Sequence, residues 1–416
     1  MFTSFSTALS ALAAQSTAID VVGNNLANLN TPGFKSSVVS FHDLVTQSLG
    51  AGLGDTQVGF GVGTPITLRQ FSQGAIQTTG GTLDAAIQGD GFLVIQGPNQ
   101  SIEYTRGGNL QVDKDGNLTT ATGEAVQGWT ESNGVLNTNA PPGNITIPVG
   151  TVQAPVTSKN ISFDMNLNAA AAPGTSDATF ATSVTIYDSL GNSHIVTATF
   201  TKDATTAGQW NYSAVVPDTD LQTPPFTPLT GSVTFDSNGK LATPASTDPP
   251  PQLQITGLKD GASDMTISWD LFNGTSPRLS QYAQPSSISA VAQDGSPAAQ
   301  LVRVAVADAG QILAQFSNGQ QLVVGQLAMA TIRNPESLIA VGNNNYQLSA
   351  RSALPAVGLP GTGGRGSIKG GAVEASTVDI AKEFTNLIVY QRGYEANSKI
   401  INAVDSLSQT TINLIH

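Results

Sequence analysis

The sequence contains no cysteine among its 416 residues. This absence excludes disulfides, thiolate catalysis, zinc–thiolate sites and iron–sulfur clusters. Histidine is nearly as scarce, because its three copies, His42, His194 and His416, lie in three different segments. Asp and Glu are scattered along the chain, so general acid–base pairs stay open, but no pattern favours one. The sequence therefore predicts no catalytic residues, no resident metal and no cofactor, and it favours a protein that is not an enzyme.

Charge is also sparse. Charged residues make up 11% of the chain, against about 25% in a typical globular protein. The formal net charge is -12, and no cluster of Lys and Arg occurs. Because nucleic-acid binding relies on such clusters, no nucleic-acid partner is expected.

Long apolar runs are missing as well. No stretch reaches the roughly 18 apolar residues that a membrane-spanning helix needs, so no membrane insertion is expected. The first basic residue is Lys35, and residues 1–15 alternate Ser and Thr with apolar residues. This pattern does not match a secretory signal peptide. If the protein leaves the cytoplasm, it is expected to do so without a cleaved signal.

Both ends of the chain show apolar residues at helical spacing, over residues 1–30 and 372–416. The N-terminal stripe consists of Phe2, Phe5, Leu9, Leu12, Ile19 and Leu26. The C-terminal stripe, which follows an expected N-cap at Ser376, includes Ile380, Phe384, Leu387, Tyr394, Ile401, Val404 and Leu407. Because an isolated helix cannot bury its stripe, we expect the two helices to pair as a coiled-coil-like stalk that mediates assembly. An ordinary intramolecular helical hairpin is the alternative.

Between the two helices the pattern changes to short strands separated by turn residues. We expect a connecting segment over residues 31–70, Gly-rich at 49–63, followed by an inner β-domain formed by residues 71–146 and 284–351. A separate outer β-domain is inserted between those two parts, over residues 147–283. A Gly/Pro linker without compact structure is expected over residues 352–371. The predicted fold is thus multidomain and mainly β, with terminal helices and a nested, discontinuous order.

Two short motifs suggest ligands only superficially. The glycines of residues 361–366 match GxGxxG, but no strand pattern precedes them and ten residues separate Gly366 from the predicted helix, so a linker is favoured. Asp113, Asp115, Asn117 and Glu124 resemble the ligand spacing of a calcium loop. That loop needs Gly at its sixth position, where this chain has a leucine, so a hairpin turn is favoured.

Two longer motifs lie near the ends of the chain. The first contains Asn24, Asn25, Ala27, Asn28, Pro32, Gly33, Phe34 and Lys35. The second contains Gln391, Arg392, Glu395, Ala396 and Asn397. They resemble, in that order, the N-terminal signature and the C-terminal helix signature of a known family, the bacterial flagellar rod and hook proteins. Residues 83–91 and 104–118 resemble its β-domain, and residues 184–202 and 233–241 resemble the outer β-domain of its hook members.

The resemblance implies a structural subunit that forms a homopolymeric, helical and flexible curved tube, acting in motility as a universal joint between rod and filament. The implied location is the flagellar hook, outside the cell and attached to the basal body. The implied partners are the rod, the hook cap, the hook–filament junction proteins and the type III export apparatus. A distal rod-like axial protein of the same family is the alternative.

Overall fold

The computed structural model describes residues 2–44, 46–48, 57–132 and 135–413. The chain divides into two compact units. Unit 1 contains residues 1–149, 303–315 and 321–416, and unit 2 contains residues 150–302 and 316–320. In the described part of the chain, no helix has both the length and the apolar character that crossing a membrane requires.

A long helix lies at each end of unit 1, α1 at Phe2–Ala27 and α2 at Ile380–Asn413. The prediction of terminal helices is therefore confirmed. The expected N-cap at Ser376 is wrong, because Asp379 occupies that role: its Oδ1 accepts hydrogen bonds from the backbone N–H groups of Ala381 at 2.9 Å and Lys382 at 3.2 Å. Carboxylates are favoured at this position because they satisfy helix-end donors and the positive end of the helix dipole.

The first part of unit 1 carries short strands in a largely antiparallel arrangement. They are β1 (Ser37–Ser40), β2 (Thr46–Ser48), β3 (Gln57–Gly59), β4 (Ile66–Arg69), β5 (Ile76–Thr78), β6 (Ala85–Gln88), β7 (Phe92–Gln96), β8 (Ile102–Thr105), β9 (Leu110–Val112), β10 (Leu118–Thr120), β11 (Ala125–Ser132), β12 (Val135–Leu136) and β13 (Gly143–Asn144). Within the connecting segment, β1 pairs with β4 and β2 pairs with β3; residues 49–56 of its Gly-rich stretch lie outside the described residues.

Unit 2 holds the next thirteen strands. They are β14 (Val152–Gln153), β15 (Asn160–Asn168), β16 (Thr179–Tyr187), β17 (Ser193–Lys202), β18 (Gln209–Val215), β19 (Leu229–Phe235), β20 (Leu241–Thr243), β21 (Gln252–Ile255), β22 (Met265–Trp269), β23 (Phe272–Asn273), β24 (Ser276–Pro277), β25 (Leu279–Tyr282) and β26 (Ser287–Gln293). Two five-stranded sheets, one centred on β15 and the other running from β16 to β20, share one apolar core. At its centre the ring of Trp269 meets Phe163, Phe200 and Tyr212 edge to face, with centroids 5.0–5.7 Å apart.

The remaining strands lie between β26 and α2. They are β27 (Ala299–Val306), β28 (Gln311–Phe316), β29 (Gln321–Leu327), β30 (Met329–Thr331), β31 (Ile339–Gly342), β32 (Asn345–Gln347), β33 (Ala356–Gly358), β34 (Ser367–Gly370) and β35 (Ala372–Glu374). Short 3-10 turns lie at Pro98–Gln100, Ser176–Ala178, Asp218–Asp220, Asp308–Gly310 and Pro335–Ser337. In unit 1, β7 pairs with β8, β11 and β30, and the rings of Phe71, Phe92 and Tyr346 pack together beside it.

The strand pairing places residues 284–302 differently from the sequence prediction. β26 pairs antiparallel with β15 from Ile161 to Asn166. Because this ladder belongs to unit 2, that unit continues to Val302 instead of ending at residue 283. A turn signal, DGSP at residues 294–297, does follow β26 shortly before the boundary. The Ser276–Pro277 step that suggested an earlier boundary lies in the short strand β24.

The expectation that residues 352–371 form a linker without compact structure is wrong for two stretches of that segment. β33 pairs with β30, and β34 pairs with β6, where Ile368 is 2% exposed. The GxGxxG glycines form the turn between these strands, closed by a 2.8 Å hydrogen bond from the Gly361 N–H to the carbonyl of Gly366. A strand, not a helix, follows this turn, so the geometry of a dinucleotide loop is absent there.

The hairpin prediction for residues 112–118 is confirmed, since β9 and β10 pair with Val112 opposite Leu118. The Oδ1 atom of Asp113 accepts hydrogen bonds from the N–H groups of Asp115 at 2.9 Å and Asn117 at 2.7 Å. These bonds hold the turn and lower the pKa of Asp113, with the side chain of Asn117 making the largest contribution. Asp113, Asp115 and Asn117, which suggested a calcium loop, therefore act as turn residues.

Candidate assembly site

The two terminal helices lie against each other and run antiparallel. Asn25 meets Glu383, with Nδ2 and Oε1 3.1 Å apart. A second contact joins Gln15, ten residues before Asn25 on α1, to Gly393, ten residues after Glu383 on α2. A Cβ built on Gly393 would stand 3.0 Å from the Gln15 amide. The glycine thus permits close approach of α2 to α1.

Small side chains form the buried face of α1, which packs against α2 and β1. Ala8, Ala14, Ala18 and Val22 are at most 3% exposed. The apolar stripe predicted from sequence lies elsewhere: Phe5 and Leu9 are exposed, while Leu12, Ile19 and Leu26 are half-buried. The side chain of Phe2 lies outside the described residues. The sequence signal for the true contact face was the set of small residues Ala8, Ala14, Ala18 and Val22, which are six, four and four residues apart and so share one helix face.

On α2 the predicted stripe divides into two groups. Leu387, Ile401 and Val404 are half-buried. The other four side chains, Ile380, Phe384, Tyr394 and Leu407, are exposed by 43–59%. Large apolar side chains on both helices therefore remain in contact with solvent in the single chain.

A buried ion cluster joins the segments that flank the two helices. The carboxylate of Glu374, on β35, is fully buried; its Oε1 accepts hydrogen bonds from Lys35 Nζ and from the Gly74 N–H, both at 2.7 Å. Its Oε2 lies 3.2 Å from Arg106 Nη1. Lys35 Nζ also donates to the carbonyl of Ser72 at 2.6 Å. Burial lowers the pKa of Lys35, and the charge of Arg106 lowers it further, opposed by the bond to Glu374.

Gly33 provides the turn that brings Lys35 to this cluster. Its φ of +72° is the left-handed conformation that glycine adopts without strain. A Cβ at this position would stand 2.6 Å from the carbonyl oxygen of Arg106, which is backbone and cannot swing aside. The Gly33 N–H donates to the carbonyl of Glu374 at 2.7 Å, and Asn344 Nδ2 donates to the carbonyl of Pro32 at 3.1 Å.

Asn25 joins the end of α1 to both the following strand and α2. It is fully buried, and its amide exchanges two hydrogen bonds with the backbone of Ser37, at 2.8 and 2.9 Å, as a paired strand residue would. The same Nδ2 reaches Glu383 on α2. Burial is the main cause that raises the pKa of Glu383, and the nearby Asp379 charge raises it further against the hydrogen bond from Asn25.

The remaining motif residues divide between local structure and exposed surface. Asn28 donates to the carbonyl of Asn24 at 2.9 Å, and Asn397 donates to the carbonyl of Gly393 at 2.8 Å. Phe34 is buried. The exposed members are Asn24, Ala27, Gln391, Arg392, Glu395 and Ala396. Sequence reasoning did not single out Arg106 or Glu374, although Glu374 is an isolated acid within an apolar stretch.

Four family descriptions match the chain, one after another. They are Flagella basal body rod protein at residues 5–35, Flagellar hook protein FlgE/F/G D1 domain at 86–164, Flagellar basal body protein FlaE D2 domain at 165–296 and Flagellar basal body rod FlgEFG protein C-terminal at 369–414. The first and last of these contain the two segments that the Glu374 cluster and Asn25 bring together.

Relatives match over the whole length. The flagellar hook protein FlgE of Borreliella burgdorferi is 31% identical, with 100% of each chain covered. That of Salmonella typhimurium is 33% identical, over 99% of this chain and 100% of the relative. The chain belongs to the flagellar hook protein FlgE family. The fold is also similar to the crystal structure of Helicobacter pylori flagellar hook protein FlgE2, with a TM-score of 0.52 and 18% identity over 70% of this chain and 98% of the other.

Membership in the FlgE family places the chain among structural proteins of the flagellum. This is not an enzyme family, and its role is in motility. In this FlgE-family chain the N-terminal signature coincides with the turn at Gly33, the buried ion cluster and the helix contact at Asn25. Part of that signature therefore maintains the geometry of the helix pair.

The substitution Gly33→Ala is expected to destabilise unit 1 by more than about 2 kcal/mol, because it adds left-handed strain and a backbone clash. The matched control is Gly23→Ala in the interior of α1, where a Cβ meets nothing within 4 Å. That change should stabilise the helix by about 0.5–1 kcal/mol. Urea unfolding followed by the helical circular dichroism signal measures both, and effects of the same sign would contradict the assignment.

The substitution Lys35→Met should lower the free energy of unfolding by about 3–5 kcal/mol, because it leaves the buried Glu374 carboxylate without its closest charged partner. Lys114→Met serves as the control, since Lys114 is 87% exposed and its ion pair is with the exposed Asp115. Its effect should stay within about 0.5 kcal/mol. Equal losses in the two variants, measured in the same urea titration, would show that the cluster has no special role.

The substitution Glu383→Gln tests the raised pKa of this carboxyl. Because the folded pKa lies above the unfolded value, the wild type is most stable below the unfolded pKa and loses stability as pH rises through the folded pKa. Gln keeps an oxygen acceptor for Asn25 and does not ionise. The variant should therefore be more stable than the wild type at pH 7, with the difference shrinking toward about pH 4.

The control for this measurement is Glu395→Gln on the exposed side of α2. Thermal unfolding at several pH values should show no comparable pH-dependent difference for that variant. A Glu383→Gln variant that is less stable than the wild type at every pH would contradict the burial of an ionised carboxylate at this site.

Proposed function

We propose that this chain polymerises through its terminal helices into the flexible curved tube of the flagellar hook, which acts as a universal joint between rod and filament. The observation that carries the proposal is the apolar surface left on the helix pair. Leu9 on α1 and Phe384, Ile388 and Leu407 on α2 are 51–59% exposed. Apolar side chains aligned on paired helices are stabilised when further helices cover them.

The geometry supports two different roles for the two faces of each helix, one in contacts within the chain and the other in contacts between copies. Alanines and Gly393 keep α1 and α2 close within one chain, and the larger side chains face outward. In the proposed tube, α1 and α2 form a coiled-coil-like inner layer around the central channel of the tube. Neighbouring copies bury the side chains that face outward. Head-to-tail contacts that do not close into a ring would extend this packing into a helical polymer.

The β-strands of unit 1 and unit 2 would form the outer layers of the tube. The low share of charged residues supports this role, because interfaces with few buried ion pairs can shift between registers as the tube bends. The proposal includes partners: the rod on one side, the hook–filament junction proteins on the other, and the hook cap during growth. It also includes export by the flagellar type III apparatus without a cleaved signal, to the hook outside the cell.

Leu407→Ser tests the helix surface. Leu407 is 59% exposed, so the substitution should change the stability of the single chain by no more than about 0.5 kcal/mol. It should nevertheless impair assembly, because each copy would present a polar group to its neighbour. The measurement is complementation of a strain that lacks its hook protein, scored by swimming and by electron microscopy of isolated basal bodies.

Leu190→Ser is the matched control, since Leu190 in unit 2 is 57% exposed. It should support nearly normal tubes and swimming. Hooks of normal length and number with Leu407→Ser would contradict assembly through α2. Straight rods in place of curved tubes would favour the distal rod-like alternative.

A further inference from the structure

One end of unit 2 gathers four titratable side chains that the proposed assembly does not use. His194, at the start of β17, is 7% exposed, and its imidazole lies among the carboxylates of Asp188, Asp220 and Asp260. Asp188 follows β16, Asp220 belongs to a 3-10 turn, and Asp260 follows β21. Segments far apart in sequence therefore converge on one ring.

The carboxylates around Nε2 are held in place by their own turns. Asp188 Oδ1 accepts hydrogen bonds from the N–H groups of Leu190 at 2.8 Å and Asn192 at 2.9 Å. Asp260 Oδ1 accepts one from the N–H of Ala262 at 3.0 Å. In both residues the second oxygen, Oδ2, is directed at His194 Nε2, at 3.3 Å from Asp188 and 3.5 Å from Asp260.

These spacings are also those of ligands around one metal ion. Ligands bound tetrahedrally to Zn²⁺ at about 2.1 Å are about 3.4 Å apart, and the two measured separations lie on either side of that value. All three donor atoms fall within 4.8 Å of one another. Two carboxylates that converge on one point repel unless a proton, a protonated imidazole or a metal cation lies between them.

The other ring nitrogen has the partner that metal-binding histidines usually have. Nδ1 lies 2.9 Å from Asp220 Oδ2. A carboxylate that accepts the Nδ1 proton leaves the Nε2 lone pair free for a cation and fixes the orientation of the ring. We propose that Asp188, His194 and Asp260 bind a divalent transition-metal cation, for which Zn²⁺ is the best-suited probe, and that Asp220 is a positioning residue.

The Asn192 side chain completes the surroundings. Its Nδ2 lies 3.0 Å from Asp260 Oδ2 and 3.3 Å from Asp188 Oδ2. With its amide turned over, the carbonyl oxygen would face the same point and supply a fourth ligand; otherwise a water molecule fills that place. A cation here would link the turn after β16 to the loop that contains Asp260, and so connect the two sheets of unit 2.

The test uses the purified full chain, first stripped with a chelator and then titrated with Zn²⁺. The wild type is expected to take up one Zn²⁺ per chain in a saturable manner, measured by calorimetry and by metal analysis after gel filtration. Asp260→Asn should weaken binding at least about tenfold, and Asp220→Asn about 10–100-fold with all three ligands retained. Binding should also shift the imidazole NMR signals of His194.

Asp264→Asn is the matched control. Asp264 lies in the same loop, and its Oδ1 accepts a hydrogen bond from the N–H of Gly257 at 3.0 Å without touching the cluster. It should bind Zn²⁺ like the wild type. Because Asp260 and Asp264 are both exposed, circular dichroism should show both variants folded.

Two results would overturn the proposal. One is a wild type that takes up no Zn²⁺ saturably, in which case a protonated His194 alone supplies the positive charge among the carboxylates. The other is uptake that Asp260→Asn and Asp264→Asn change to the same extent, which would place the ion elsewhere on the acidic surface.

Discussion

The buried carboxylate of Glu374 is the constraint on which the geometry of unit 1 depends. A carboxylate without solvent is tolerated only when charged and hydrogen-bonding partners surround it. Here Lys35, Arg106 and the Gly74 N–H provide them. Lys35 follows α1 in sequence and Glu374 precedes α2. The ion pair between them therefore fixes the end of α1 relative to the start of α2.

The way the helices pack explains why so much apolar surface stays exposed. A face of alanines and a glycine lets two helices approach closely while it buries little area per residue, so that face alone stabilises the pair only modestly. The fixed ends at Asn25 and at the Glu374 cluster compensate for that weakness. Larger side chains such as Leu9 and Phe384 are then available for contacts with other copies.

Much of this fold could be predicted from the sequence, because the decisive signals are local. Helical spacing predicted both terminal helices, and Asp-Gly turns predicted the hairpin at residues 112–118. The contact face of α1 was not predicted. Large side chains such as Phe5 are more hydrophobic than alanine, so they define the apolar stripe that is read from the sequence. The strands within residues 352–371 were missed because their partners, β30 and β6, lie far away in sequence. Long-range pairing overrides a local Gly/Pro signal. The assembly role of the predicted stripes stays a prediction.

The motif NNLANLNTPGFK shows why a family signature and a contact surface need not coincide. Asn25, Gly33 and Lys35 face inward and satisfy buried backbone or charge within one chain. Asn24 and Ala27, in the same motif, are exposed. A substitution at the first group changes the shape of the subunit, whereas one at the second group can act only through what touches that surface. Defects of the first kind therefore appear as loss of stability in the isolated chain, and defects of the second kind appear only when copies meet.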